Sequence, residues 1–454
     1  MRGRYGSWTV GMLAGAALGA LSLPAYAQSP ISASEVREQA EAIQPQVVAW
    51  RRHLHANPEL GFAEHDTAAY VAEHLRGLGL EVRTGVAATG VIAILRGGAG
   101  DGPVVALRAD MDALPVREAT GLPFASTATG EYQGATVPVA HACGHDAHMA
   151  MLMGAAQILA GMKEQLAGTI VFVFQPAEEG APPGEPMGGA ARILAEGGLD
   201  DPRPQAIFGL HVTPGEAGTL RYRPRGFMAA SDRVDITLTG VQTHGAWPWR
   251  GVDVIAASAG IINTINTLTA RTVDPTTTPT VFTIATMNAG VRYNIIPDTA
   301  ALSGTLRTFD VAQRDDLVAR ATAAVEHVAH AHGAEAEMTV FQNAALVFND
   351  PDLSAWLAPV LEEVVGAEDL NAATPPTTIA EDFSYYQQQI PGVFYHLGAT
   401  PEGVDPDDSP PNHSPLFDVN EAVLPIGVTT HVMSAVRFLE RADQADLPIR
   451  ASPS

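Results

Sequence analysis

The stretch of residues 139–148, VAHACGHDAH, most constrains what this chain can fold into and do. It places three histidines, one aspartate and the chain's only cysteine between His141 and His148. Mostly strong helix formers follow at residues 149–159, so we predict a loop that leads into a helix. Cysteine sulfur and histidine nitrogen are ligands that borderline-soft cations such as Zn²⁺ accept. We therefore interpret the stretch as a metal-binding loop, and not as a buried cysteine beside a polar loop.

The first 27 residues have the pattern of a signal peptide. Arg2 and Arg4 form a basic start, residues 10–23 are largely apolar, and small residues lie at Ala25 and Ala27. We expect cleavage near Ala27 and an exported protein, either periplasmic or secreted. No other stretch approaches the roughly 18 uninterrupted apolar residues that a membrane span requires, so we predict no membrane association after cleavage.

Length and charge restrict the architecture and the partners. A chain of 454 residues is too long for one compact core, so two domains are expected. The formal net charge of −24 argues against nucleic acid and against an anionic membrane surface as partners. With one cysteine the chain has no internal disulfide, and metal ligation would keep that cysteine reduced in an oxidising compartment.

Short apolar runs alternate with helical patterns over most of the chain, which predicts an α/β fold with a doubly wound, mainly parallel sheet. The predicted strands cover residues 91–95, 104–108, 169–174, 206–210 and 393–397. The predicted helices cover residues 32–54 with a break at Pro45, 64–78, 353–365 and 424–441.

A second pattern begins near Asp232 and predicts a smaller α+β, ferredoxin-like domain inserted into the first. Its β-α-β-β-α-β order runs through residues 234–239, 253–269, 280–287, 299–307, 313–332 and 335–341. We therefore predict a discontinuous catalytic domain of residues 28–225 and 342–445. Residues 226–341 would form the inserted lid or dimerisation domain.

Candidate polar residues follow three of the predicted strands. Asp110 and Asp112 follow the strand at 104–108, a Glu178-Glu179 pair follows 169–174, and His211 follows 206–210. Open α/β sheets gather their sites at the carboxyl ends of their strands, so we expect these side chains to lie together. Taken singly, the glutamates are typical of a solvated pair, His211 of a core histidine, and His413 of a surface loop.

Five motifs together resemble those of the metal-dependent amidohydrolases. They are HACGHDAH, RADMDALP from Arg108, FQPAEEG from Phe174, GLH from Gly209 and NHSP from Asn412. The resemblance includes hippurate hydrolase, aminoacylase-like N-acyl-amino-acid hydrolases and the plant hydrolases of indole-acetyl-amino-acid conjugates. It runs from about Trp50 to Phe438, and it is specific for the family much more than for the substrate.

The resemblance implies a centre of two divalent metal ions, with Zn²⁺ expected and manganese, cobalt or nickel as alternatives. Its bridging ligand would be Cys143, and the further ligands implied are His145, Glu179, His211 and His413. Glu178 would act as the general acid and base, and Asp112 would orient a ligand histidine.

The resemblance also implies roles for the inserted domain and a homodimer. His244, in the motif THGAWP, would polarise the scissile carbonyl, and in dimeric relatives this histidine comes from the partner subunit. Asn294 and Arg307 match positions that hold the free carboxylate of the substrate. The chain departs from the family pattern at Trp247 and Trp249, which would line an acyl pocket or shield an interface.

The function implied is hydrolysis of the amide bond of N-acyl amino acids, with N-acetyl, N-benzoyl or other aromatic acyl groups. Dipeptidase or carboxypeptidase activity on the same site is the first alternative. A nucleophilic hydrolase using Cys143 with His145 or His141 is a second, and it leaves both glutamates, His211 and His413 unexplained. A catalytically silent binding module is a third, and such a module needs neither Glu178 nor His244.

Overall fold

A computed structural model describes residues 31–275 and 278–441, together with Gly6. The predicted signal peptide therefore lies outside the described residues. The helices are α1 Ala33–Ala42, α2 Gln44–Ala56, α3 His65–Gly77, α4 His145–Gly161, α5 Gly189–Ala195, α6 Val254–Thr272, α7 Val311–Ala331, α8 Pro351–Val365, α9 Phe383–Gln387 and α10 Leu424–Glu440. The predicted break at Pro45 falls where α1 ends and α2 begins, because proline fits the first turn of a helix.

The strands form one large sheet, one smaller sheet and several two-stranded pairs. In the first half of the chain they are β1 Glu81–Val86, β2 Gly90–Arg96, β3 Val104–Asp110, β4 Thr129–Tyr132, β5 Ala135–Pro138, β6 Thr169–Gln175, β7 Ala206–Thr213, β8 Leu220–Arg221 and β9 Arg225–Met228. The others are β10 Ala230–Thr239, β11 Thr243–His244, β12 Val281–Ala289, β13 Ile295–Ile296, β14 Thr299–Thr308, β15 Glu335–Ala344, β16 Val347–Asn349, β17 Leu370–Asn371 and β18 Gly392–Gly398.

The large sheet has the strand order β1-β2-β6-β3-β7-β18-β8-β17. Its central strands β6, β3, β7 and β18 are parallel, and almost all of their residues are buried. Helices α1 to α4, α8 and α10 pack on one face, while α5 and α9 cover the other. The predicted α/β class with a mainly parallel, doubly wound sheet is confirmed. The predicted strand at residues 91–95 is β2, whereas edge strand β1 and the antiparallel pairing of β2 with β1 and β6 were not predicted.

The smaller sheet has the order β12-β14-β10-β15, and all its pairs are antiparallel. Alternate residues of β10 are buried, because its inward face packs under α6 and α7. Its elements follow one another as β10, α6, β12, β14, α7 and β15, which is the β-α-β-β-α-β order of a ferredoxin-like unit. The exact domain boundaries stay a prediction.

One described helix, Glu421–Glu440, is long and apolar enough to cross a membrane by length and composition. Within its most apolar window, 83% is buried inside the protein. This helix contains α10, which packs against α4, α1 and α8. We therefore describe it as the central helix of the large core.

Candidate metal centre

The carboxyl ends of three parallel strands and the start of α4 converge on one place. β3 leads to Asp112, β6 leads to Glu178 and Glu179, and β7 carries His211. Cys143 lies in the turn before α4, and Gly144 has a φ of +95° there. A Cβ at Gly144 would lie 2.3 Å from Val212 Cγ2, so only glycine allows this turn to approach β7.

All five side chains predicted as metal ligands lie in one cluster. Two sets of three ligand atoms each fall within 4.8 Å of one another, Cys143 with His145 and His211, and Cys143 with Glu179 and His413. Cys143 belongs to both sets, and its Sγ lies 3.4 Å from His211 Nε2. A sulfur shared between two sets of ligands is the arrangement expected of a residue that bridges two cations.

Unpartnered buried atoms in the cluster fit a bound cation. His145 donates from Nδ1 to the carbonyl oxygen of Asp112 at 2.8 Å, which leaves its Nε2 directed into the cluster. That Nε2 and Glu179 Oε1 are buried without a hydrogen-bond partner among the described residues. His413 Nε2 lies 3.0 Å from Glu179 Oε1 but is not aligned as a hydrogen bond. Sulfur, imidazole and carboxylate donors at these positions suit Zn²⁺ and similar ions.

The pKa values of the cluster residues also indicate that positive charge would be stabilised there. Burial raises the pKa of the Cys143 thiol well above its usual value, and the carboxylates of Glu179 and Glu178 raise it further. Burial lowers the pKa of His211, which keeps this ring neutral as a ligand must be. For His145 burial opposes protonation, yet Asp110 and other nearby carboxylates raise the pKa to about 10. Cations would replace these protons.

Glu178 lies outside both sets that share Cys143, although it forms a third group of ligand atoms within 4.8 Å of one another with His145 and Glu179. Its Oε2 is 3.9 Å from His145 Nε2, and its Oε1 accepts a hydrogen bond from the backbone N–H of Asp382 at 3.4 Å. Burial raises the pKa of the Glu178 carboxyl group well above its usual value, and the carboxylates of Glu381, Glu179 and Asp382 add to the effect. A carboxyl group whose protonated form is stabilised by its surroundings can serve as a general acid as well as a general base.

Asp112 contacts His145 mainly through its backbone, whereas the resemblance implies that its carboxylate orients a ligand histidine. Its carbonyl oxygen, and not its carboxylate, accepts the close hydrogen bond from His145 Nδ1, while Asp112 Oδ1 lies 3.4 Å away. The carboxylate oxygens accept from the backbone N–H groups of Glu178 and Glu179, each at 3.0 Å. Asp112 therefore holds the ring of His145, a predicted ligand, and the backbones of both glutamates at once.

A buried ion-pair group that sequence reasoning missed lies next to the cluster. Arg108 donates from Nη1 to Asp110 Oδ2 at 2.6 Å and from Nη2 to Glu381 Oε1 at 2.9 Å and Asp382 Oδ1 at 3.1 Å. The other oxygen of Asp110 accepts from His148 Nδ1. Asp110 and His148 stand in the motifs singled out above, whereas no local pattern marks Glu381 and Asp382.

The three residues predicted in the inserted domain lie apart from the cluster. His244 is exposed on β11, its ring centroid lies 5.3 Å from that of Trp247, and Gly245 N–H donates to the Asn294 carbonyl at 2.9 Å. Arg307 lies on β14, and its Nη1 is buried without a hydrogen-bond partner among the described residues. His244 and Asn294 are thus neighbours, but no described contact joins either to the predicted metal ligands.

Comparison with known proteins identifies the kind of enzyme. The model of Peptidase family M20/M25/M40 matches residues 106–436. An IAA-amino acid hydrolase from Arabidopsis thaliana, ILR1-like 4, is 37% identical over 398 residues, which cover 87% of this chain and 86% of the relative. Thermostable carboxypeptidase 2 from Saccharolobus solfataricus is 35% identical over 410 residues, 89% of this chain and 98% of the relative.

A solved structure agrees with these matches. The crystal structure of a dinuclear metal-binding peptidase of the M20 family from Bacillus subtilis has a TM-score of 0.73 and 33% identity, covering 88% of this chain and 99% of that one. The fold and these matches are those of a metal-dependent amidohydrolase, and the cluster contains residues that could hold metal ions. The chain belongs to Peptidase family M20/M25/M40.

Proposed function

We propose that the protein hydrolyses the amide bond of N-acyl amino acids and releases a carboxylic acid and a free amino acid. The observation that carries the proposal is the position of Glu178. Its carboxyl group, with a raised pKa, borders the two ligand sets without belonging to either set that shares Cys143. A proton acceptor beside a pair of cation positions is what hydrolysis by an activated water requires.

In this proposal Cys143, His145, Glu179, His211 and His413 hold two divalent cations, with zinc favoured by the sulfur ligand. Bound there, the cations supply the positive charge that lowers the pKa of water and polarises a carbonyl group. Glu178 takes the proton from the attacking water and passes it to the nitrogen of the leaving amine. No covalent bond to the protein forms.

Residues of the inserted domain complete the proposed site. His244 donates a hydrogen bond to the carbonyl oxygen of the scissile amide as negative charge develops there. Arg307 binds the carboxylate of the amino acid portion, and Asn294 assists. The buried, unpartnered Nη1 of Arg307 supports this role, because a desolvated guanidinium nitrogen without a partner is costly unless a ligand satisfies it.

Carboxypeptidase or dipeptidase activity is the second candidate function. The 35% identity to a thermostable carboxypeptidase favours it, while the similarity to an IAA-amino acid hydrolase favours N-acyl amino acids. Both kinds of substrate carry a free carboxylate on the leaving amino acid, so Arg307 could bind either one. The enzyme must therefore distinguish the two kinds of substrate by the group on the acyl side of the scissile bond. Trp247, whose ring lies 5.3 Å from that of His244, and Trp249, which is nearby in the sequence, are 50% and 76% exposed, and they offer aromatic surface for an aromatic acyl group.

We further propose that the mature protein is exported after cleavage near Ala27 and acts as a homodimer. The basic and apolar N-terminal pattern supports export. Strand β12 is an edge of the smaller sheet, and its Val281 and Met287 are exposed. An edge strand with exposed apolar side chains suits pairing with a second copy.

The test is a substrate screen on the metal-loaded protein. N-acetyl, N-benzoyl and indole-acetyl amino acids are compared with dipeptides and longer peptides, and both products are quantified. Hydrolysis of N-acyl amino acids is expected, with loss of activity in chelator and recovery on adding Zn²⁺, Mn²⁺ or Co²⁺. Full activity of the metal-free protein would instead support a Cys143 nucleophile. Faster cleavage of peptides than of every N-acyl amino acid would favour the second candidate.

The role of Arg307 is tested with matched substrates. Arg307→Ala is expected to raise KM for an N-acyl amino acid, while the corresponding N-acyl amino acid amide, which lacks the carboxylate, is affected much less. An equal change for both substrates would remove Arg307 from carboxylate binding. The exposed Arg271→Ala substitution, in the last turn of α6, provides a control for loss of a positive charge.

A further inference from the structure

The backbone of Val212 joins three parts of the candidate metal centre. Its N–H donates to His148 Nε2 at 2.8 Å. Its carbonyl oxygen accepts from His211 Nδ1 at 2.8 Å and from Asn412 Nδ2 at 3.2 Å. The imidazole ring of His211 is therefore oriented by the carbonyl group of the following residue, and that residue is held by a side chain from α4.

On the side of β7 that faces β3, the side chain of His148 replaces a neighbouring strand as the hydrogen-bond partner of Val212. Pairing of β3 with β7 ends at Arg108 and Gly209, three residues before Val212. Beyond that point the ring of His148 accepts the hydrogen bond from Val212. Its centroid lies 4.5 Å from that of His211, so the two rings are also in contact.

The hydrogen bonds fix the tautomer of His148. A backbone N–H can only donate, so Nε2 must be unprotonated and the ring proton must lie on Nδ1. Nδ1 donates to Asp110 Oδ1, at 2.5 Å, and the other oxygen of Asp110 is held by Arg108. His148, Asp110 and Arg108 are all buried, so bulk water does not compete for these bonds.

We propose that His148 is a positioning residue for the metal position built from Cys143, His145 and His211. By holding Val212 it keeps His211 Nδ1–H on the Val212 carbonyl and leaves His211 Nε2 free to bind a cation. Among the described hydrogen bonds, the position built from Cys143, Glu179 and His413 is linked to Val212 only through Asn412, which precedes His413 and donates to the carbonyl oxygens of Val212 and Cys143. The inference depends on the proposed ligand set and goes beyond it by assigning the two positions different supports.

Two isosteric variants of His148 separate its two hydrogen bonds. In His148→Gln the side-chain oxygen reaches the position of Nε2 and can accept from Val212, whereas in His148→Asn the amide nitrogen reaches the position of Nδ1 and serves only Asp110. Metal-free protein is titrated with Zn²⁺ against a competing chelator. Wild type should bind two ions, and His148→Asn should weaken one of them by about 10–100-fold. His148→Gln should restore binding close to wild type.

Further measurements separate positioning from general damage. Thermal unfolding of the metal-free forms should be alike for the Asn and Gln variants, and the Co²⁺-loaded Asn variant should show an altered visible spectrum for one ion only. Equal affinities for the Asn and Gln variants, or equal weakening of both ions, would overturn the proposal. If His148→Asn does not fold, Asn412→Ala tests the junction from the carbonyl side. It also removes the hydrogen bond from Asn412 Nδ2 to the Cys143 carbonyl at 2.9 Å, so it should weaken the binding of both ions. Unchanged binding there would also overturn it.

The ligand set is checked separately with His211→Ala. This variant should lose one of the two ions. If it keeps both, the assignment of His211 as a ligand is wrong, whatever the His148 variants do. If it loses one while the His148 variants match wild type, the ligand set stands and the positioning role fails.

Discussion

Asp112 holds Glu179 by its backbone, since Asp112 Oδ2 accepts a hydrogen bond from the Glu179 N–H at 3.0 Å. The geometry of this candidate ligand thus depends on a carboxylate that need not touch a cation. In Asp112→Asn, one carboxylate oxygen becomes an NH₂ group that faces a backbone N–H. We expect metal affinity to fall by about 10–100-fold. Competition titration measures it, and the exposed Asp101→Asn should leave affinity unchanged.

The two adjacent glutamates should respond differently to the same substitution. Glu178→Gln removes only proton transfer, so we expect the rate to fall by about 10²–10⁴-fold while both metal ions stay bound. Glu179→Gln removes a ligand from the set with Cys143 and His413, so metal content should fall as well. Metal analysis beside steady-state kinetics checks both variants. Equal metal content with equal residual activity would contradict the assignment.

Gly144 should be irreplaceable for a steric reason. Its φ of +95° disfavours any side chain, and an added Cβ would lie 2.3 Å from Val212 Cγ2. Gly144→Ala should therefore lower both the thermal unfolding midpoint and the metal content. Gly134 has a similar φ of +77° but no atom within 4 Å of an added Cβ. Gly134→Ala should cost only the local backbone strain, about 1–2 kcal/mol, with metal content intact. Similar effects of both substitutions would exclude the contact with Val212 as the cause.

Local sequence patterns were sufficient for most of the fold, whereas the full set of proposed ligands came from the resemblance to the amidohydrolases. The apolar run at residues 169–174 is part of β6. Cys143 and His145 lie in one short motif whose residue types indicate metal binding without a structure. The hydrogen bond between Arg108 and Glu381 was not predictable, because 273 positions separate the two residues. The sequence around either residue gives no sign of the other. The antiparallel edge strand β1 was missed because none of its residues is buried and they lack a continuous apolar run.

The stability of the metal-free protein should fall as pH rises. Burial first, and nearby carboxylates second, raise the pKa of Asp382 and of Glu64 to about 8, although Arg108 acts in the opposite direction on Asp382. The pKa of His145 is raised to about 10. In each case the folded protein binds more protons than the unfolded chain above the unfolded pKa, so unfolding becomes easier with rising pH.

For His145 the stabilisation is complete below its unfolded pKa and is lost as pH rises through the folded value. For Asp382 and Glu64 the cost of burying an ionised carboxylate grows up to their folded pKa values. Thermal unfolding in chelator should therefore show a lower midpoint at pH of about 9 than at about 7. With Zn²⁺ the trend should weaken or reverse, because deprotonated ligands bind metal more tightly. A midpoint that rises with pH in chelator would contradict these shifts.

His244 presents the last test, because the structure places it in the smaller domain without a contact to the proposed ligands. It can serve the site only if that domain closes over the cluster or if a second subunit supplies it. His244→Ala should bind metal normally and lose rate by roughly 10²-fold or more through the missing hydrogen bond to the developing oxyanion. Mixing this variant with Glu178→Gln subunits distinguishes the two geometries. If His244 acts across a dimer interface, each mixed dimer has one complete site and one site that lacks both groups, so activity returns. If His244 acts within its own chain, every site lacks one group and activity stays low after verified subunit exchange.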